Sequence, residues 1–197
     1  PDAGDDLRFF GEPTPGQPNN EGYLGEVAPL RFSHERGFYD NSVDLSIDTL
    51  TEGAQILYTL DGRPPDAEGY RMPPGREYTE PIRIGRTTCV RAMAVKPGWK
   101  PTRIVTHTYV FDVRPEIQSL PIISLVGDPG ATFYEPDGVM AIAGGAYTPT
   151  WTPTGAGSYN NVINRGLERP VSAEWIVPDQ EDGFQIDCGL RVHGSNY

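Results

Sequence analysis

The chain has 197 residues and a formal net charge of −11, with 37% hydrophobic and 22% charged residues, and with 23 Gly and 20 Pro. That length allows one large domain or two small ones, and two is the expectation. The acidic balance repels phosphate backbones, which are bound through Lys and Arg that release counterions, so nucleic acid is excluded as a partner. No apolar run approaches the roughly 18–20 residues of a membrane helix, so this segment is not expected to insert into a membrane.

The N-terminus, Pro1-Asp2-Ala3-Gly4-Asp5-Asp6, carries no signal-peptide pattern. The absence of an initial Met and the stop in mid-pattern at Gly194-Ser195-Asn196-Tyr197 read as a fragment, with any export signal, anchor or catalytic domain outside it. Residues 1–28 form the first unit, a linker. Leu7-Arg8-Phe9-Phe10 runs into Gly11-Glu12-Pro13-Thr14-Pro15-Gly16-Gln17-Pro18-Asn19-Asn20. Proline fixes φ and removes a ladder donor, so regular structure is expected to stop near Gly11. Arg8 to Asn19 resembles the end of a bacterial lamin-tail domain, which implies an immunoglobulin-like domain upstream.

Residues 29–113 form the second unit. Val43-Asp44-Leu45-Ser46-Ile47-Asp48 alternates, with Val43, Leu45 and Ile47 on one face and acidic residues on the other. Gln55-Ile56-Leu57-Tyr58-Thr59-Leu60 follows, and Asp61-Gly62 supplies turn chemistry. After an irregular excursion between Arg63 and Gly75 come Pro81-Ile82-Arg83-Ile84, then Thr87 to Val95, then Arg103 to Phe111. About seven short strands separated by turns, with no helical periodicity, predict a β-sandwich.

Gly37-Phe38-Tyr39, Gly53-Ala54-Gln55-Ile56-Leu57-Tyr58-Thr59-Leu60-Asp61-Gly62-Arg63-Pro64-Pro65, Tyr78-Thr79-Glu80-Pro81-Ile82, Val90-Arg91-Ala92-Met93-Ala94 and Gly98-Trp99 occur in order. Together they resemble the chitobiase/β-hexosaminidase C-terminal module. The resemblance implies an immunoglobulin- or fibronectin-III-like sandwich attached to bacterial glycosidases and surface proteins, without an active site. The Asp66–Arg76 segment is longer than that family's pattern.

Residues 114–197 form the third unit. Leu120-Pro121-Ile122-Ile123-Ser124-Leu125-Val126 is continuously apolar but for Ser124 and predicts a strand buried on both faces. Val139 to Ile142, Val171 to Val177 and Phe184 to Gly194 read as further strands, the last two a hairpin around the turn-forming Pro178–Gly183 cluster. This order resembles the opening of a CotH-type spore-coat kinase domain between Leu120 and Ser195. On that resemblance the acidic metal-binding and catalytic residues lie downstream, and ATP and a divalent metal would serve only the full-length protein. The fold class is therefore all-β or mainly β: a fibronectin-III-like β-sandwich plus a second, incomplete β-rich segment.

Chemistry-bearing motifs are scarce. His34, His107 and His193 lie in different segments, with neither a His-Glu-x-x-His pair nor a Gly-x-Ser-x-Gly elbow. His107, among β-branched residues, reads as a solvent-facing strand residue, and on the CotH resemblance His193 would belong to the nucleotide-facing edge of an intact kinase-like lobe. The acidic Asp179–Asp182 stretch lacks a calcium-loop pattern and reads as a solvated hairpin tip. Asp128-Pro129-Gly130 reads as a turn, and Gly144-Gly145 lacks phosphate-loop spacing. Cys89 and Cys188 read as buried small apolar residues, a bridge between segments being the alternative. Trp99 and Trp175 read as core.

No catalytic, cofactor or metal residue is expected in the chain. The open candidate is the loop from Gly144 to Asn161, where Tyr147, Trp151 and Tyr159 stand among Thr, Pro, Gly and Ser. Exposed rings stack on sugars, so these three are the carbohydrate-binding candidates; rings packed back onto the sheets are the alternative. The expected role is a non-catalytic spacer of a larger secreted or surface-attached bacterial protein. Its expected partners are neighbouring domains of the same chain and cell-surface glycan. A carbohydrate-binding module and an N-terminal kinase fragment are the rivals.

Overall fold

The computed structural model describes residues 8–10, 15–16, 22–66, 75–134, 138–140, 142–143, 145–148, 150–153, 160–161, 168–178 and 183–191, as main chain alone between 142 and 161. The strands in chain order are β1 (Leu30–Phe32), β2 (Gly37–Phe38), β3 (Val43–Leu45), β4 (Ile47–Thr49), β5 (Gln55–Thr59), β6 (Arg76–Glu77), β7 (Ile82–Ile84), β8 (Thr88–Val95) and β9 (Val105–Val110). They are followed by β10 (Ile122–Val126), β11 (Ile142–Ala143), β12 (Gly145–Thr148), β13 (Thr150–Pro153), β14 (Asn160–Asn161), β15 (Arg169–Ile176) and β16 (Phe184–Leu190). The protein is mainly β, in several sheets, as its alternating apolar pattern predicts.

One layer of the sandwich is a five-stranded sheet in the order β2-β9-β8-β5-β6, antiparallel except for the short parallel pairing of β2 with β9. The other layer consists of two ladders, β1 with β4 and β3 with β7. The alternating segment from Val43 to Asp48 is thus one run broken at Ser46, where it leaves β7 and joins β1. Ser33 locks the break: its N–H donates to the Ser46 carbonyl at 2.9 Å, and its Oγ accepts the Ser46 N–H at 2.8 Å. Side-chain alternation survives the break, with Leu45 and Ile47 buried and Asp44, Ser46 and Asp48 exposed.

Between the layers, Leu45, Ile47, Ile82 and Ile84 meet Ile56, Val90, Ala92, Ala94, Tyr109 and Phe111. Burying each large aliphatic side chain there stabilises the fold by about 1.5–3 kcal/mol. Small alanines on β8, Ala92 and Ala94, are fully buried where the layers approach each other.

His107 departs from the expectation of a solvent-facing residue. It is 3% exposed and shares the core-facing phase of Tyr109 and Phe111, its ring stacked 4.4 Å from Phe32 of the opposite layer. The outward phase of β9 is buried too, because the second sheet packs against it. That sheet has the order β10-β15-β16, with β15 and β16 forming the expected hairpin.

β10 also departs from expectation. It is an edge strand with one covered face: Val126 is buried, while Ile123 and Leu125 are 63% and 43% exposed. Val139 and Met140 lie in a turn, and the strand begins at Ile142. Asp128 caps a single helical turn, Pro129–Phe133, by accepting the Gly130 and Ala131 N–H groups, each at 2.8 Å. Trp99 is half-buried and packs against the sandwich core, and Trp175 is half-buried in the second sheet. Among the described residues no helix is long and apolar enough to cross a membrane.

Candidate functional site

Two regions bear on function: the β12–β13 hairpin, and the joint between the sandwich and the second sheet. In the hairpin, Tyr147 and Trp151 are direct cross-strand partners. Tyr159 lies outside the described residues, as do His193, Gly144 and the Asp179–Asp182 stretch.

The joint is built from polar groups that the sequence does not mark. The hydrogen bonds of β9 to β8 occupy one edge of the strand. Its other edge meets β2 only at Tyr109 and Val110, which leaves the N–H groups of Thr106 and Thr108 without a strand partner. Glu174 and Gln185, opposite each other across β15 and β16, fill the gap. Gln185 Oε1 accepts the Thr106 N–H at 3.0 Å, and its Nε2 donates to the Ile104 carbonyl at 3.3 Å. Glu174 Oε1 accepts the Thr108 N–H at 3.1 Å, and its Oε2 accepts the Thr108 hydroxyl.

Glu174 is 1% exposed, and burial holds its carboxyl above the ordinary carboxylate range. The Thr108 bonds and the Arg36 guanidinium, whose Nη1 stands 3.5 Å from Oε1, pull the other way without cancelling that shift. Such a partly compensated buried charge specifies one arrangement better than it adds net stability.

Beside it, burial and the Arg36 charge push His107 down to about 3, so the ring is neutral at physiological pH. Its Nδ1 accepts the Arg36 N–H at 2.9 Å, which puts the ring proton on Nε2. The 3.3 Å approach of the Glu35 carboxylate to Nδ1 is therefore not an ion pair. A neutral imidazole whose lone pair is already engaged is not a free general base.

At the other end of the joint the Asp61-Gly62 turn docks on the second sheet. Gly62 has φ +84°, and a Cβ there would come within 2.5 Å of the Gly127 carbonyl oxygen. Arg91, 8% exposed, donates from Nη1 to the Gly62 carbonyl at 3.0 Å. Burial raises the Asp61 carboxyl, but hydrogen bonds and charge from Arg63 outweigh this and leave it below its ordinary value.

Next to this contact an open cleft of about 820 Å3 is lined by Arg86, Thr88, Cys89, Phe133 and Tyr134, among others. Cys89 is half-buried and its thiol is raised by burial, so it is not an activated nucleophile. Cys188 is exposed, contrary to the expected burial, because it lies on the uncovered face of the sheet; both cysteines are free.

Among the described residues no group of three or more His, Cys, Asp or Glu side chains is placed to hold a metal ion. His34 lies 2.9 Å from Ser33 Oγ, but that hydroxyl is the one that locks the Ser46 break. Sequence reasoning missed Glu174 and Gln185 as joint residues and His107 as a core residue. The available signal was phase: His107 is in register with Tyr109 and Phe111, and Glu174 with the buried Ser172 and Ile176.

Residues 34–106 match the family model of the chitobiase/beta-hexosaminidase C-terminal domain. This stretch covers most of the sandwich, leaving out β1 and most of β9, and lies inside the 29–113 unit read from the sequence. That family is a non-catalytic C-terminal module of chitobiase-like proteins, and a structural role for the matched part fits it. The lamin-tail and CotH resemblances gain no support from the comparison. No curated protein and no solved structure matches the chain.

Proposed function

We propose that the chain is a non-catalytic spacer of a larger secreted or surface-attached bacterial protein, in which the sandwich and the second sheet act as one rigid body between neighbouring domains. The observation that carries this is the joint, where Glu174 and the half-buried Gln185 of the second sheet accept the Thr108 and Thr106 N–H groups of β9, while Arg91 and His107 engage main chain within the sandwich. Groups so engaged position backbone. The matched module, attached to glycosidases by family, supports an exported context.

Amide hydrogen exchange tests the rigid-body reading. The Thr106 and Thr108 amides and those of β15 are expected to exchange only with global unfolding. Independent, earlier exchange of β15 and these two amides would overturn it. Turnover of chitooligosaccharide by the chain alone, or of ATP with magnesium, would overturn the non-catalytic part.

The cross-strand pairing of Tyr147 with Trp151 favours a second reading, a carbohydrate-binding role for the hairpin with Tyr159 as a further contributor. Affinity electrophoresis through gels containing soluble β-glycans tests it. Sugar-dependent retardation that Trp151→Ala abolishes supports binding, and unretarded migration sinks it.

A further inference from the structure

Ahead of β1 the chain is bound to the turn that follows β8. The Leu24 N–H donates to the Gly98 carbonyl at 2.8 Å. Lys100 donates its N–H to the Gly25 carbonyl and accepts the Val27 N–H, both at 2.9 Å, so it spans Glu26 as a residue of a parallel neighbouring strand does. Val27 is buried in the sandwich core, and Ala28 is held by the hydroxyls of Thr49 and Thr51. Further back, Phe9 and Tyr23 exchange both of their N–H bonds, at 2.8 and 2.7 Å.

Trp99 sets where this segment lies. Its ring packs against the core, the Lys96 ammonium stands 4.4 Å from the ring centroid, and Gly25 presses on its benzo ring. A Cβ on Gly25 would come within 2.8 Å of Trp99 Cζ3 and 3.0 Å of Cε3, so only glycine fits there while the ring stays packed. The Glu26–Lys100 ion pair, at 2.6 Å, is exposed and adds little.

We propose that residues 22–28 are a strap seated on Trp99 that fixes the direction in which the chain enters the sandwich, so that what precedes the strap is oriented by the module. Main-chain bonds to residues 98–100 and the buried Val27 hold the strap, and the Phe9–Tyr23 pairing extends that hold backwards. Its functional value rests on the spacer reading above, since a spacer that orients its neighbours needs its entry held as well as its joint.

Residual dipolar couplings and amide exchange on the full chain test the strap. In the parent chain the N–H vectors from Tyr23 to Val27 should fit the alignment tensor of β5, β8 and β9, and the Leu24, Val27 and Lys100 amides should be protected. Gly25→Val should speed exchange at those amides by about tenfold or more and shrink the couplings of Tyr23 and Leu24, with the β5 and β8 amides unchanged.

Couplings averaged toward zero in the parent chain would overturn the proposal, and this measurement decides the matter if Gly25→Val does not fold. Unchanged exchange in Gly25→Val would overturn it too, as would a loss of protection shared equally by β8, which would mean that the substitution merely loosens the sandwich. Early exchange of β15 beside a fixed strap would instead defeat the rigid-body spacer and leave the strap standing.

Discussion

The sandwich interior and the joint beneath it are both buried, yet they are held by opposite means. Between the sandwich layers, aliphatic and aromatic side chains exclude water and make few directional demands. At the joint, a carboxylate, a carboxamide and two arginines each hold or face a specific group, and packing is secondary. The first arrangement supplies stability, while the second fixes where one sheet sits on another. A perturbation of the interior should therefore change how much the fold resists unfolding. One at the joint should change geometry and pH response more than overall stability.

The largest effect belongs to the interior. Leu45 is fully buried, and Leu45→Ala is expected to cost about 2–5 kcal/mol in urea unfolding, because a cavity remains where the layers cannot collapse. A loss below about 1 kcal/mol would mean that the layers are not the stabilising unit.

His107 stands where the two regions meet and gives the next effect, confined to acid. Its pKa falls from the ordinary 6.5 to about 3 in the folded chain, so the folded state takes up the proton later than the unfolded state does. Stability from keeping it neutral is fully present above pH 6.5 and is lost as pH falls toward 3, on the order of 5 kcal/mol in all. Glu174 acts in the opposite sense. Its raised carboxyl pKa adds stability as pH falls through its folded value, offsetting part of the loss. In His107→Asn, an acceptor remains for the Arg36 N–H but nothing titrates, so the fall in melting temperature between pH 6.5 and 3 should be visibly shallower than in the parent chain. Parallel curves would remove His107 from the acid response.

Much of the sandwich was legible because burial on one face writes itself as period-two alternation, clear from Val43 to Asp48 and in the order of motifs ending at Trp99. The break at Ser46 was not, since strand-switching leaves the alternation intact and depends on Ser33, thirteen positions away. The joint was less legible still. A buried Glu174 looks like any surface glutamate until β9 supplies the donors that make its burial tolerable. Ile122 to Val126 misled in the other direction: a continuous apolar run predicts two covered faces, but the strand lies at a sheet edge with Ile123 outward. The hairpin aromatics were found by residue type alone, and only the Tyr147–Trp151 register adds to that.

Gly62 permits a sharper division of the joint, because a second glycine serves as its control. Gly53 and Gly62 both have positive φ, +71° and +84°, but a Cβ on Gly53 meets nothing within 4 Å. Gly53→Ala should therefore cost only the left-handed backbone penalty, about 1–2 kcal/mol. Gly62→Ala carries the same penalty plus the collision with the Gly127 carbonyl, which the turn can relieve only by drawing away from the second sheet and weakening the Arg91 bond. A further loss of about 1 kcal/mol is expected, with faster exchange of the β15 amides. Equal losses for the two variants would place the Asp61-Gly62 turn outside the joint.

The smallest effect belongs to the uncovered face of the second sheet. Ile123 is 63% exposed and its cross-strand partner is Trp175, with Phe184 opposite Trp175 on the next strand. Threonine keeps the β-branch that suits a strand and removes apolar surface already in water, so Ile123→Thr should shift stability by no more than about 0.5 kcal/mol. A loss approaching that of Leu45→Ala would mean that this face is covered in solution. The distinction between a stabilising interior and an orienting joint would then fail, because the second sheet would possess an apolar core of its own.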